Sequence, residues 1–381
     1  MPPLVQFSTR KGSQVKIASR ARVGLSLALA TVAALLAAGT ASSRLSATAA
    51  KPKPKYSVAA LVKKSKSESG LVVYGNPPAA NFNALVAKFN QKYPWIKVTE
   101  FDLEDTTIFS KYASEAAQGA RSADLLIASA PNMWVYANRQ HYAASFTPNG
   151  ITKFPKYAKQ FSGIYIMSPD PAIIVYNKLL LKDKVPTSVT QIANDGSTYN
   201  KVTGYSVDNL FGYTALYGYV QLKGWSALQK IGKSRYVSSG NVAAQLQVVA
   251  QGGAKATYLT SPTARFRIAS DSRLKDILDW SYAKDGTPIV PRGIAITKKA
   301  SSPASAKLFL DFVFSRPGQQ AMCDAGFTSY MKGFKPSGGC TNTLADVYAK
   351  VGAKHVYNPG FTQKFVNSRP AFTRRWHSIF G

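Results

Sequence analysis

The chain has 381 residues, of which 45% are hydrophobic and 12% aromatic, a composition that excludes an intrinsically disordered protein. Its 48 Lys and Arg against 18 Asp and Glu give a net charge of +30, which points to polyanions, to an anionic ligand, or to a solvated basic surface. No zinc-finger spacing, RNA-binding sheet signature or basic heptad region accompanies that charge, so no specific nucleic acid is expected as a partner.

The first acid in the chain is Glu68. Arg10, Lys11, Lys16, Arg20 and Arg22 precede an uncharged, alanine-rich run over 23–41. Small residues follow at cleavage-like spacing, as Gly39-Thr40-Ala41 and Ala47-Thr48-Ala49. This order predicts a secretory signal peptide over 1–50, and the mature protein is expected to be exported, periplasmic or extracellular. The 19 uncharged residues of 23–41 also just suffice to span a bilayer, so an uncleaved anchor is the alternative. No Cys lies near the run, which argues against a lipid anchor. The residues after 50 carry +24 and are long for one core, natural for two lobes.

Residues 51–69 alternate Lys and Pro, then mix Lys with Ser, and read as a basic linker with room for one short helix. Leu71-Val72-Val73-Tyr74 predicts a buried strand, broken by Gly75-Asn76-Pro77-Pro78. Phe82, Leu85, Val86, Phe89 and Tyr93 share one helical face, and Pro94 ends that helix. Ile96 and Val98 alternate with Lys97 and Thr99 as a second strand, 106–118 reads as a second helix, and 124–128 as a third strand ending at Ser129-Ala130-Pro131-Asn132. The order β-α-β-α-β predicts a parallel sheet with covering helices. Further on, 172–176 is an apolar strand, 224–231 and 239–251 are helices, 256–259 and 293–297 are strands, and Ser302-Pro303 opens a strong helix.

Parallel sheets take ligands beyond the carboxyl ends of their strands. Two such ends carry Tyr74, Gly75 and Asn76, and Ser129, Ala130 and Asn132. In the middle segment Ser239-Gly240-Asn241 opens a helix, Tyr258 lies near the end of a strand, and Ser261 and Thr263 follow it. Backbone N–H groups at helix starts attract anions and oxygen-rich solutes, although any α/β sheet has such turns. The aromatic run Tyr199, Tyr205, Phe211, Tyr213, Tyr217 and Tyr219 reads as packing first and as a stacking surface second. Asp102, Glu104 and Asp105 cluster near a strand end and read as charges favouring a nearby helix start, with a cation site as the alternative. Arg265 or Arg267 would pair with a negative cargo if either faces it. No nucleophile elbow, phosphate-cradling loop, zinc-protease helix or dinucleotide fingerprint is present, and His141, His355 and His377 lack metal-ligand spacing. No enzyme activity, metal or cofactor is therefore expected. Cys323 and Cys340 are expected to pair as a disulfide in an exported protein.

Several segments together resemble the extracellular solute-binding proteins of ABC-type importers, nearest to the ferric-ion binders and their organic-solute relatives. They are 71–98 (LVVYGNPPAANFNALVAKFNQKYPWIKV), 123–129 (ADLLIAS), 173–177 (IIVYN), 285–300 (DGTPIVPRGIAITKKA) and 302–320 (SPASAKLFLDFVFSRPGQQ). The resemblance implies an α/β, two-lobe periplasmic-binding-protein architecture of type II. Each lobe would be a mostly parallel sheet flanked by helices, the two joined by crossing strands.

Lobe 1 is expected over 70–172 and lobe 2 over 173–292, with the first crossing at 173–177 including Tyr176. The return crossing and the rest of lobe 1 are expected over 293–330, and a C-terminal segment, 331–381, packs on the lobes. A monomer is implied, closing on a small solute and docking on a membrane permease. Ferric binders resemble one another in two adjacent tyrosines, and no Tyr-Tyr pair occurs here. An anionic or oxygen-rich organic solute is thus favoured over iron. A metal binder of the same fold and a polyanion or cell-wall binder stay open as alternatives.

Overall fold

The computed structural model describes residues 56–381. The signal peptide expected over 1–50 and the first part of the linker lie outside the described residues. The rest of that linker carries the helix Val58–Ser65, capped by the Ser57 hydroxyl and anchored through buried Leu61.

Among the described residues twelve strands form two sheets. They are β1 (Leu71–Gly75), β2 (Val98–Asp102), β3 (Leu125–Ala128), β4 (Lys159–Phe161), β5 (Ile164–Pro171), β6 (Ile173–Asn177), β7 (Val202–Gly204), β8 (Tyr236–Ser238), β9 (Ala256–Thr257), β10 (Leu278–Tyr282), β11 (Thr287–Ile296) and β12 (Val356–Tyr357). The first sheet runs β2-β1-β3-β11-β5-β4, with β12 beside β11, and the second runs β10-β6-β9-β7-β8.

β1, β2 and β3 are parallel, as the β-α-β-α-β reading requires. β11 is antiparallel to both β3 and β5, and in the second sheet β6 is antiparallel to β10 and β9. The sheets are therefore mixed rather than mostly parallel. The reason is the connectivity: β5 and β11 carry the chain out of and back into the first sheet, so they run in opposite senses side by side.

Only Ala172 separates β5 in the first sheet from β6 in the second. Its N–H donates to the Pro288 carbonyl at 2.8 Å, which ties the outgoing crossing to the returning one. β11 begins at Thr287, earlier than the predicted start at Gly293, because its first half also lies within a sheet and is buried throughout. At Gly293 a Cβ would meet the Trp134 indole at 2.2 Å, so only glycine admits that ring against the strand.

The helix Ala79–Lys92 buries the predicted face of Phe82, Leu85 and Phe89. Phe89 meets Phe309 at 5.0 Å between ring centroids, on the helix Pro303–Val313. The aromatic run of the middle segment lies on and before the buried helix Leu210–Lys223. Tyr213 and Tyr217 of that helix pack on Phe365, in the C-terminal helix Gln363–Phe380. The same C-terminal helix reaches lobe 1 through a hydrogen bond from Arg139 to Gln363. Cys323 and Cys340 form a disulfide with their Cα atoms 6.1 Å apart. No helix among the described residues is long and apolar enough to cross a membrane.

Candidate functional site

A cavity of about 280 Å³ opens between the two sheets' strand ends. Lobe 1 lines it with Asn76, Pro78, Asp102, Leu103, Glu104, Asp105 and Ser129. Lobe 2 lines it with Tyr205, Asn209, Phe211, Gly240, Asn241, Val242, Ala243, Ser261, Thr263 and Arg267, while Arg292 on β11 forms part of the same lining.

Four helices begin at this wall. Pro78 precedes Ala79–Lys92, Glu104 precedes Asp105–Ala117, Asn209 precedes Leu210–Lys223, and Asn241 precedes Val242–Ala250. Each start directs unsatisfied N–H groups and the positive end of a helix dipole toward the cavity. Asn209 and Asn241 satisfy one N–H each, donated by Gly212 and by Ala244, both at 3.0 Å. Gly240 has open space where a Cβ would stand. Leu259 takes a left-handed conformation (φ 57°), and this kink after β9 turns the chain so that Ser261 and Thr263 face the cavity.

The floor is a buried polar network. Arg292 donates from Nε to the Asp170 carboxylate at 3.2 Å and from Nη1 to Asn76 Oδ1 at 2.9 Å. Asn76 Oδ1 also accepts from the Ser129 N–H at 3.2 Å, and Asn76 Nδ2 donates to the Asp105 carboxylate. Burial pushes the Asp105 carboxyl up to about 7, against the pull of Arg292. Burial, and then the neighbouring Asp102, push Glu100 up to about 8. Asp102 is raised by burial as well, with Arg267 and Arg292 opposing.

The structure brings together Asn76, Ser129, Gly240, Asn241, Ser261 and Thr263 of the residues named from sequence. The others lie off the lining. Tyr74 turns its hydroxyl to the Glu115 carboxylate at 2.8 Å. Gly75 is held at the strand end, where a Cβ would meet Pro77 at 2.9 Å, and Ala130 is buried before the helix Pro131–Arg139. Asn132 lies in the first turn of that helix with its amide oxygen buried and without a partner among the described residues. Tyr176 sits in β6, its phenol pushed up to about 12 by burial and by Asp279. Ser239 turns its hydroxyl to Thr203 at 2.8 Å. Tyr258 packs its ring on Gly204, and its hydroxyl is buried without a partner among the described residues.

Of the two arginines considered, Arg267 lines the cavity, whereas Arg265 is buried and donates to the Tyr282 hydroxyl at 2.9 Å. Sequence reasoning did not place Arg292 or Asn209 in the site, took Tyr205 and Phe211 as packing ahead of a stacking surface, and took Asp102, Glu104 and Asp105 as helix-start charges ahead of a cation site. Tyr205 and Phe211 stood in a dense aromatic run, and Asn209 carried a local signal as a capping residue before an apolar run.

A family model described as bacterial extracellular solute-binding protein matches residues 84–343. No curated protein sequence matches the chain. Among solved structures, a substrate-binding protein of an ABC transporter from Agrobacterium tumefaciens is similar at 21% identity and TM-score 0.69, covering 81% of this chain and 94% of that one. The periplasmic binding protein AfuA from Actinobacillus pleuropneumoniae, with fructose-6-phosphate bound, is similar at 16% identity and TM-score 0.63, covering 82% of this chain and 98% of that one. Iron-bound HitA from Pseudomonas aeruginosa is similar at 16% identity and TM-score 0.63, over 81% and 99% of the two chains. At such identities these likenesses establish the two-lobe fold. With the family model spanning most of the chain, the protein belongs to the bacterial extracellular solute-binding proteins, a family of binders and not of enzymes.

Proposed function

We propose that the chain is the solute-capturing component of an ABC-type importer. It is exported by removal of its N-terminal signal, holds one small organic solute between its lobes, and presents the closed form to a permease in the membrane. In this reading lobe 1 takes 70–172 and 293–330, lobe 2 takes 173–292, and 331–381 packs on both. The work is a shift of population from open to closed lobes, driven by the solute's better fit to the closed state.

One observation carries the reading. Four helix starts, Arg267 and the floor residue Arg292 converge on a single inter-lobe cavity whose size suits a metabolite, not a polymer. That arrangement favours a guest with an acidic or oxygen-rich group. Iron fits less well. Among the described residues no three His, Cys, Asp or Glu side chains stand as a metal group, and Tyr236 and Tyr258, 6.0 Å apart between centroids, pack outside the cavity lining.

The test is a thermal-shift screen of the mature chain against anions, sugars, amino acids, amines and metals. A binder raises the melting temperature by linkage, by about 2.7 kcal/mol of stabilisation at a hundred times its Kd. A flat response across the whole library contradicts the reading.

A further inference from the structure

We infer that the captured solute is a zwitterion, with a cationic nitrogen held at the lobe 1 wall by Asp102 and Glu104 and an acidic group held at Arg267 of lobe 2. This rests on the reading of the cavity as the solute site and names the chemistry of its guest.

The chain has only 18 acids against 48 basic residues, yet Asp102, Glu104 and Asp105 all line this one cavity. Neither Asp102 nor Glu104 forms an ion pair among the described residues. The deep cation beside them, Arg292, is already committed to Asp170. Burial in this wall disfavours the ionisation of Asp102 and Asp105, and the pull of the nearby arginines does not offset it, although none of them pairs with Asp102 or Glu104. A cationic guest removes that penalty.

Two independent features of the same cavity point to a guest of this kind. Tyr205 and Phe211, with ring centroids 5.0 Å apart, line it from lobe 2. Aromatic faces near carboxylates attract an ammonium group through the ring quadrupole. Ser129 is only 3% exposed and lines the cavity, and its hydroxyl makes no hydrogen bond among the described residues, so it is free to bond a guest's polar group.

On the other side, among the described residues Arg267 forms no ion pair and its Nε is buried without an acceptor. It shares the cavity wall with Asn241, which opens the helix Val242–Ala250. An acidic group there meets the guanidinium and the helix dipole together. The lobes therefore offer opposite charges, and a guest bearing both satisfies each wall as they close.

The test is calorimetric titration of the mature chain with matched trios: short ω-amino phosphonates and carboxylates, the same acids without the amine, and the same amines without the acid. Neutral sugars and metal ions are run alongside, with mass spectrometry of any co-purifying solute. The zwitterion of at least one trio is expected to bind at least about tenfold more tightly than either partner. Asp102→Asn with Glu104→Gln is expected to erase that preference and leave weak binding of the acid, while Arg267→Gln erases binding of the acid; unchanged melting curves control for folding.

If an acid alone or a sugar binds as tightly as its zwitterion, or if the co-purified solute carries no cationic nitrogen, the proposal is overturned and the solute-capture reading stands. If the carboxylate variant keeps the zwitterion's affinity, the charges serve contact between the lobes and the proposal is likewise overturned. If no compound of any class binds and nothing co-purifies, the solute-capture reading falls with it.

Discussion

Arg292, on the strand that returns the chain to lobe 1, donates to the carboxylate of Asp170, on the strand that left it, at 3.2 Å and with both side chains almost fully buried. The same guanidinium reaches Asn76 in the first β-to-α turn. One residue thus joins the two crossing strands to the cavity floor. The positions at which the lobes are connected are also part of the binding site.

Removing one partner of that pair leaves a buried charge without its counter-charge. Arg292→Leu is expected to cost about 3–5 kcal/mol, and the double change Arg292→Leu with Asp170→Leu to recover most of it. Urea denaturation midpoints of the single and double variants measure this. A single variant as stable as the parent would contradict the ion pair's role.

Asp105 and Glu100 set a pH dependence of known sign. Burial raises their native pKa values to about 7 and about 8, above the usual carboxylate range of the unfolded chain. Below about pH 4 both states are protonated and the groups contribute nothing. As pH rises through the window up to 7–8 the unfolded state ionises first, so stability falls, and above it the loss is complete. Asp105→Asn is expected to melt with the parent near pH 4 and roughly a few degrees above it at pH 8. A constant difference between the two melting profiles across that range would contradict the assignment.

The helix Pro303–Val313 is capped from a distance. The Glu68 carboxylate accepts from the N–H groups of Ala304 at 2.8 Å and Ser305 at 2.7 Å, while Ser302, the residue before the helix, makes no side-chain cap. Glu68→Ala is expected to cost about 1–2 kcal/mol. Ser302→Ala is expected to be near neutral or stabilising, because its hydroxyl is buried without a partner among the described residues. Equal losses in the two variants would contradict this division.

The contrast between Ser302 and Glu68 shows what was legible in the sequence. Periodicity and breakers revealed the helix and its start, because those signals are local: Pro303 at the first position, then Ala306, Phe309, Leu310 and Val313 on one face. The group that caps it lies more than two hundred residues away and leaves no local trace. The site divides in the same way. Asn76, Ser129 and Asn241 stand at strand ends and helix starts, where chain-breaking residues announce a turn. Arg292 lies inside an apolar strand, and only the pairing of β11 with β5 gives it a role. Tyr74 was named for its strand end, but a strand alternates its side chains between faces and its hydroxyl turns to Glu115; Tyr176, named for the crossing strand, and Tyr258, just past β9, are likewise absent from the lining.

Gly240 offers the most direct test of the central claim, that a solute is held in the cavity between the lobes. Nothing stands where its Cβ would be, so a bulky side chain there fills the cavity without straining the backbone. Calorimetric titration of the parent and of Gly240→Trp with the solute that co-purifies is the decisive measurement. One-to-one binding in the parent, weakened by roughly a hundredfold, about 2.7 kcal/mol, in a variant that melts at the same temperature, is the predicted result. Equal affinity in the two proteins would place the solute elsewhere and contradict the account.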